Sequence, residues 1–173
     1  NWLAVGASGL IRAGIKLNGS QVQLTMRLYD VVSQRQLLMR DYQEDKTTAS
    51  RALYRFLDEV IKTLTGEEGI FSSRLAYVKQ TKDGKAIYTA EIDGRNERRI
   101  TDPASLSLLP AWSRDGKSLL FTSYLRENPD LYRLNLISKK LDWLSHKRGL
   151  NTGAAVSPDG SKIALTLSMD GNT

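Results

Sequence analysis

Residues 110–117 and 154–161 are two copies of one pattern. Pro110-Ala111-Trp112-Ser113-Arg114-Asp115-Gly116-Lys117 returns as Ala154-Ala155-Val156-Ser157-Pro158-Asp159-Gly160-Ser161, at an offset of 44 residues. Leu119-Leu120-Phe121-Thr122 answers Ile163-Ala164-Leu165-Thr166 at the same offset, and one step back it meets Leu75-Ala76-Tyr77. Leu131 to Leu136 falls on Ile87 to Ile92, and no gap is needed anywhere. A period near 44, built from short alternating strands and Gly turns, is the signature of a β-propeller blade.

One full repeat runs from about Ser105 to Arg148. Its strands are expected at Leu108–Ser113 (innermost), Lys117–Ser123, Leu131–Leu136 and Leu141–Ser145 (outermost). The loop Arg126-Glu127-Asn128-Pro129 separates the middle pair. The Asp-Gly pairs beginning at residues 83, 93, 115 and 159 have a structural task in tight turns, where Gly supplies positive φ and Asp bonds backbone amides. The earlier repeat lacks an ordinary innermost strand, because Glu67 and Glu68 stand where Ala111 and Trp112 would be. The last repeat stops after two strands, with Met169 to Thr173 entering the next loop. About two and a half blades cannot close, and their open edges are expected to favour self-association.

The first third of the chain follows other periods. Residues 9–45 alternate with a period of two, and Asn18-Gly19 predicts a two-residue hairpin with positive φ at both central positions. Val22, Leu24, Met26 and Leu28 share one face of the second strand; a third spans about Gln36 to Glu44. Leu53, Phe56, Leu57, Val60, Ile61 and Leu64 then form a helical stripe. Thr48 or Ser50 is placed to cap it, Gly66 to end it, and Asp58 to pair with Lys62. The fold class is therefore α+β followed by all-β. The expected division is residues 1–66, the end of a small α/β domain, and residues 70–173, the first blades of a propeller. The chain opens at Asn1-Trp2-Leu3 in what reads as mid-domain sequence, so it is taken as an excerpt of a longer polypeptide.

Function classes narrow quickly. With no Cys and one His, neither thiolate chemistry nor a zinc site is expected, and no cofactor motif is present. Gly6-Ala7-Ser8-Gly9 lacks the spacing of a nucleophile elbow. No apolar run approaches the roughly 20 residues that span a bilayer, so direct membrane insertion is not expected. The net charge of +6 invites a nucleic-acid reading. However, Arg95, Arg98, Arg99, Lys139 and Lys140 fall on outer blade edges, without the interleaved aromatics of a base-stacking platform. His146 closes an outer strand beside Lys147 and Arg148, as a partner contact at most. The segments that hand each outer strand to the next inner strand, Thr101–Leu109 and Ser145–Gly153, lie at one mouth of the channel, where propellers carry recognition.

Over nearly its whole length the chain resembles the TolB family of periplasmic proteins of the Tol–Pal system. The resemblance is carried by Leu64-Thr65-Gly66, Gly69-Ile70-Phe71, Ser73-Arg74-Leu75-Ala76-Tyr77-Val78 and the two Ser-x-Asp-Gly segments, with Arg114 in place of the usual Pro. It implies a six-bladed propeller behind a small α/β domain, in a non-enzymatic scaffold that binds the peptidoglycan-associated lipoprotein Pal. It further implies contact with TolA through an extreme N-terminal segment, a role in envelope integrity and cell division, and parasitic use in colicin import. The partner-facing loop maps onto Arg148, Gly149, Leu150, Asn151, Thr152 and Gly153. Relatives often carry His-Asn-Gly where this chain has Leu150-Asn151-Thr152. The rival is the substrate-gating propeller of a serine peptidase of the prolyl-oligopeptidase or tricorn kind, since such propellers share the Ser-Pro-Asp-Gly repeat.

Overall fold

The structure, a computed structural model, describes residues 2–168. The expectation for Met169 to Thr173 lies outside the described residues. The chain forms two compact units, Asn1–Ser73 and Arg74–Thr173.

In the first unit, strands β1 (Gly9–Asn18), β2 (Gln21–Asp30) and β3 (Gln36–Asp45) form an antiparallel sheet in that order. The alternation of β2 is realised: Val22, Leu24, Met26 and Leu28 are buried and share a core with Leu38 and the helix residues Ala52, Phe56 and Val60. The hairpin forms with its register moved by one residue. Asn18 stays in the strand opposite Gln21, so the connection is Gly19–Ser20, and of these only Gly19 takes positive φ, +59°. A turn with glycine first needs one left-handed residue, not two.

Helix α1 (Ala49–Thr65) buries Ala52, Phe56 and Val60, while Leu53 and Leu64 stay exposed. The stripe is wider than the surface that β2 and β3 offer it. Thr48 occupies the N-cap but does not cap: its hydroxyl donates to Glu44 Oε2 and Asp45 O, each at 3.2 Å. Gly66 ends the helix at φ +79°, its amide bonding Lys62 O. The expected Asp58–Lys62 pair does not form. Asp58 accepts from the amides of Phe71 at 2.6 Å and Ser72 at 3.0 Å, and Lys62 pairs with Glu68. Asp58 thereby straps the segment after the helix to the helix itself.

The second unit is part of a propeller. Strands β4 (Arg74–Thr81), β5 (Gly84–Glu91) and β6 (Arg98–Arg99) make a three-stranded sheet with no inner strand. Next come β7 (Ser107–Trp112), β8 (Ser118–Arg126), β9 (Asn128–Asn135) and β10 (Leu141–Ser145), a four-stranded blade. Last is the hairpin of β11 (Asn151–Val156) and β12 (Ile163–Leu167). The segment expected as a loop at residues 126–129 is instead a tight reversal. Arg126 pairs with Asn128 and Glu127 turns the chain at φ +67°.

Within the blade, Phe121, Tyr132 and Trp143 are cross-strand neighbours on β8, β9 and β10. They stack at 6.2 and 6.4 Å between ring centroids. The inner rungs are buried with Ile87 and Leu119 in the core of this unit. Burying each such side chain contributes about 1.5–3 kcal/mol, so the ladder holds the outer strand to the core.

Candidate functional site

The segment from Ser145 to Gly153 links β10 to β11, and its geometry is set from below by Asn151. That side chain is fully buried. Its Oδ1 accepts from Ser145 Oγ at 2.7 Å and the Lys147 amide at 2.9 Å. Its Nδ2 faces the carbonyls of Lys147 (2.7 Å), Gly149 (3.1 Å) and Pro129 (3.3 Å). Every hydrogen-bonding position of the amide is used, which is what burial of a polar group demands. Asn151 thus shapes the loop from within it.

A second amide completes the clamp. Asn128, at the start of β9, donates to Lys147 O at 3.1 Å and accepts from the Gly149 amide at 3.2 Å. It also donates to Asp130, a buried carboxylate whose other oxygen accepts from Trp143 Nε1 at 3.0 Å. Burial, then the Asp130 charge, raises the hydroxyl pKa of neighbouring Tyr132 above the ordinary tyrosine value. Gly149 has φ +94°, and a Cβ there would stand 2.0 Å from Ser168 O. No other residue fits this approach of the loop to the end of β12. Ser168 in turn donates its amide to Leu150 O at 3.0 Å.

Arg148 and Gly153 are exposed, and Leu150 and Thr152 are half-buried. Thr152 Oγ1 accepts from Thr122 Oγ1 at 2.9 Å, tying β11 to the blade. His146 lies tilted against Trp143, 4.1 Å between ring centroids, and the Arg126 guanidinium lies 4.5 Å from the same ring. The sequence pattern offers Arg126 and Asn128 only as loop residues and gives Asp130 and Trp143 no role. The alternation Asn128-x-Asp130 inside an extended run was the available signal, hidden by reading those residues as a loop.

The earlier handover segment is built alike with different atoms. Ser107, the counterpart of Asn151, is buried and donates to Ser105 O and Ser123 Oγ, each at 3.0 Å. Tyr124 donates its amide to Leu106 O at 3.0 Å, repeating the Ser168–Leu150 bond one period earlier.

Elsewhere in this unit, a depression of about 390 Å³ is lined by the turn residues Ser113, Arg114, Asp115, Asp159 and Gly160 together with Arg133. Its carboxylates serve the turns. Asp115 accepts from the Lys117 amide at 3.0 Å and Ser113 Oγ at 2.6 Å, and Asp159 accepts from the Ser161 amide at 3.1 Å and Ser157 Oγ at 2.5 Å. Among the described residues no group of His, Cys, Asp and Glu is arranged to hold a metal ion. No helix among them is long and apolar enough to cross a membrane.

Comparison with known proteins agrees with this architecture. Residues 61–173 match the family described as the TolB β-propeller domain. The Tol-Pal system protein TolB of Desulfosudis oleivorans is 38% identical over 99% of this chain, and that of Desulfotalea psychrophila 33% identical over 99%. The chain spans 39% of the length of each of these relatives. The crystal structure of TolB from Acinetobacter baumannii superposes with a TM-score of 0.88 at 28% identity, covering 98% of this chain and 44% of that one. The uninterrupted 44-residue repeat, the blade it folds into and the family match over residues 61–173 converge: the chain belongs to the TolB family.

Proposed function

We propose that this chain is part of a non-enzymatic protein–protein interaction scaffold of the Tol–Pal system. It works in the periplasm and binds the lipoprotein Pal through the loop at residues 148–153. In this reading residues 1–66 close an α/β domain and residues 70–173 begin the propeller. A more N-terminal segment contacts TolA, and the assembly supports outer-membrane integrity and cell division, with colicin import as a parasitic use. The curated relatives are named as Tol-Pal system proteins, which supports the assignment.

One observation carries the choice of site. The 145–150 loop is held from beneath by Asn151 and Asn128, yet leaves Arg148 exposed and Leu150 half-buried beside it. A surface fixed before contact loses less conformational freedom on binding than a mobile one. The exposed guanidinium of Arg148 steers encounter, and the apolar body of Leu150 lengthens the lifetime of the complex.

The test uses the full-length protein and the soluble domain of Pal in a calorimetric titration. Leu150→Ala is expected to weaken binding by about three- to tenfold. Arg148→Glu is expected to slow association and to flatten its dependence on salt. If both variants bind as the parent does, this loop is not the contact. If the parent itself fails to bind, Pal is not the partner.

A further inference from the structure

Leu109 sits where a leucine is poorly suited. Its φ is +51°, in the left-handed region. Cβ crowding disfavours that region for every L-residue and makes a bulky side chain there an outlier. Pro110 adds a second restraint, because the residue before proline is driven towards extended backbone. Among the described residues the other non-glycine positions with positive φ are Gln34, Asn96, Glu127 and Lys139. All four are polar residues of turns or loops, whereas Leu109 is apolar and lies within a strand.

The repeat provides an internal control. One period later the position is Gly153, with φ +66°. The two occupy matching irregularities of inner strands: the register of β7 breaks between Leu108 and Ala111, and that of β11 between Thr152 and Ala155. The fold therefore asks for a left-handed residue at this point of both strands. Glycine meets the request freely and leucine does not. Packing does not explain the leucine, since its side chain is 54% exposed. The chain just before it is held in place by the Tyr124–Leu106 backbone bond and the Ser107–Ser123 bond, and β7 pairs with β8 again from Ala111 onward. Backbone strain kept at an exposed site that the fold over-determines points towards function.

We propose that Leu109 is a partner-contact residue, presented by the β7 bulge so that its side chain meets an apolar side chain of the bound protein. β7 packs against β11, so Leu109 and the 148–153 loop belong to neighbouring inner strands. The inference rests on the partner-binding reading of that mouth, and adds to it an apolar point of attachment in the adjoining blade.

Leu109→Gly in the full-length protein separates the possibilities, with urea unfolding and titration of the soluble Pal domain as paired readouts. The expected result is a higher urea midpoint together with affinity about tenfold weaker, and Leu109→Met retaining parental affinity. A variant that is stabilised but binds as the parent does would overturn the contact role. A variant with a lowered midpoint would overturn the strain argument. Absence of binding by the parent would defeat the Pal reading and this inference with it, whereas tight parental binding untouched by Leu109→Gly defeats this inference alone.

Discussion

Asn151 shows how far a single residue can be understood before its neighbours are known. Its position in a handover segment was legible, but its orientation was not. Three of the groups it binds, Ser145, Lys147 and Gly149, lie within six residues of it, but the path that folds them back around the amide is set by the blade, which also brings in Pro129 from β9. Asp58 teaches the same lesson. Helical spacing offers it Lys62, yet its carboxylate finds two backbone amides beyond the helix end, where donors lack intrahelical competitors. Asn151→Ala should destabilise the protein by roughly 2–3 kcal/mol, because it strands buried backbone groups. Asn151→Asp should be worse at pH 7, since an ionised carboxylate would face the carbonyls that Nδ2 now serves. That charge is disfavoured in the folded state, so the folded pKa of the new Asp should lie above the unfolded value. The penalty is then full above the folded pKa and is relieved as pH falls through it. Urea midpoints at pH 7 and pH 5 check this order, and an Asp variant as stable as the parent at pH 7 would contradict it.

At the scale of elements, the most legible features were those whose chemistry is local. The Ser-x-Asp-Gly turns needed no tertiary information, because the bonds that their Ser and Asp side chains make lie within five residues: Ser157 Oγ accepts from the Lys162 amide and donates to Asp159. These bonds have a titratable consequence. The Ser157 hydroxyl first, then the Ser161 hydroxyl and amide, hold the Asp159 pKa down to about 2 from a usual value of 3.8. The carboxylate is depressed on folding, so its contribution to stability is complete above about pH 4 and lost as pH falls towards 2. A carboxyl NMR titration should find the Asp159 midpoint near 2, and Ser157→Ala should move it towards the usual value. A parental midpoint near 4 would mean that the Ser157 and Ser161 bonds to Asp159 do not persist in solution. Features that depend on what packs against an element were less legible. The helical stripe was visible, but which part of it is covered depends on the width of a three-stranded sheet.

For the whole molecule, the repeat made the architecture readable because a propeller is one unit copied, and the copies retain their spacing. The repeat carries no record of which loop a partner touches, since both handover segments descend from the same pattern. β12 forms one side of a two-stranded sheet, with Ile163 exposed. Unpaired strand edges of this kind recruit other chains. The 173-residue chain is therefore expected to associate reversibly as its concentration rises, and Ile163→Lys to reduce that tendency. Sedimentation at several concentrations decides it, with a concentration-independent monomer as the contrary result. The paired backbone bonds Tyr124–Leu106 and Ser168–Leu150 also bear on how such an array can be lengthened or recombined. Each handover segment is stitched to the blade that follows it, so a cassette cut there would sever bonds at both of its ends. The outer turn at residues 137–140 lies between two strands of one sheet. An exchange made there keeps each of these backbone stitches inside a single inherited piece, and asks the new neighbours to restore the Asn128–Gly149, Pro129–Asn151 and Thr122–Thr152 bonds that span it.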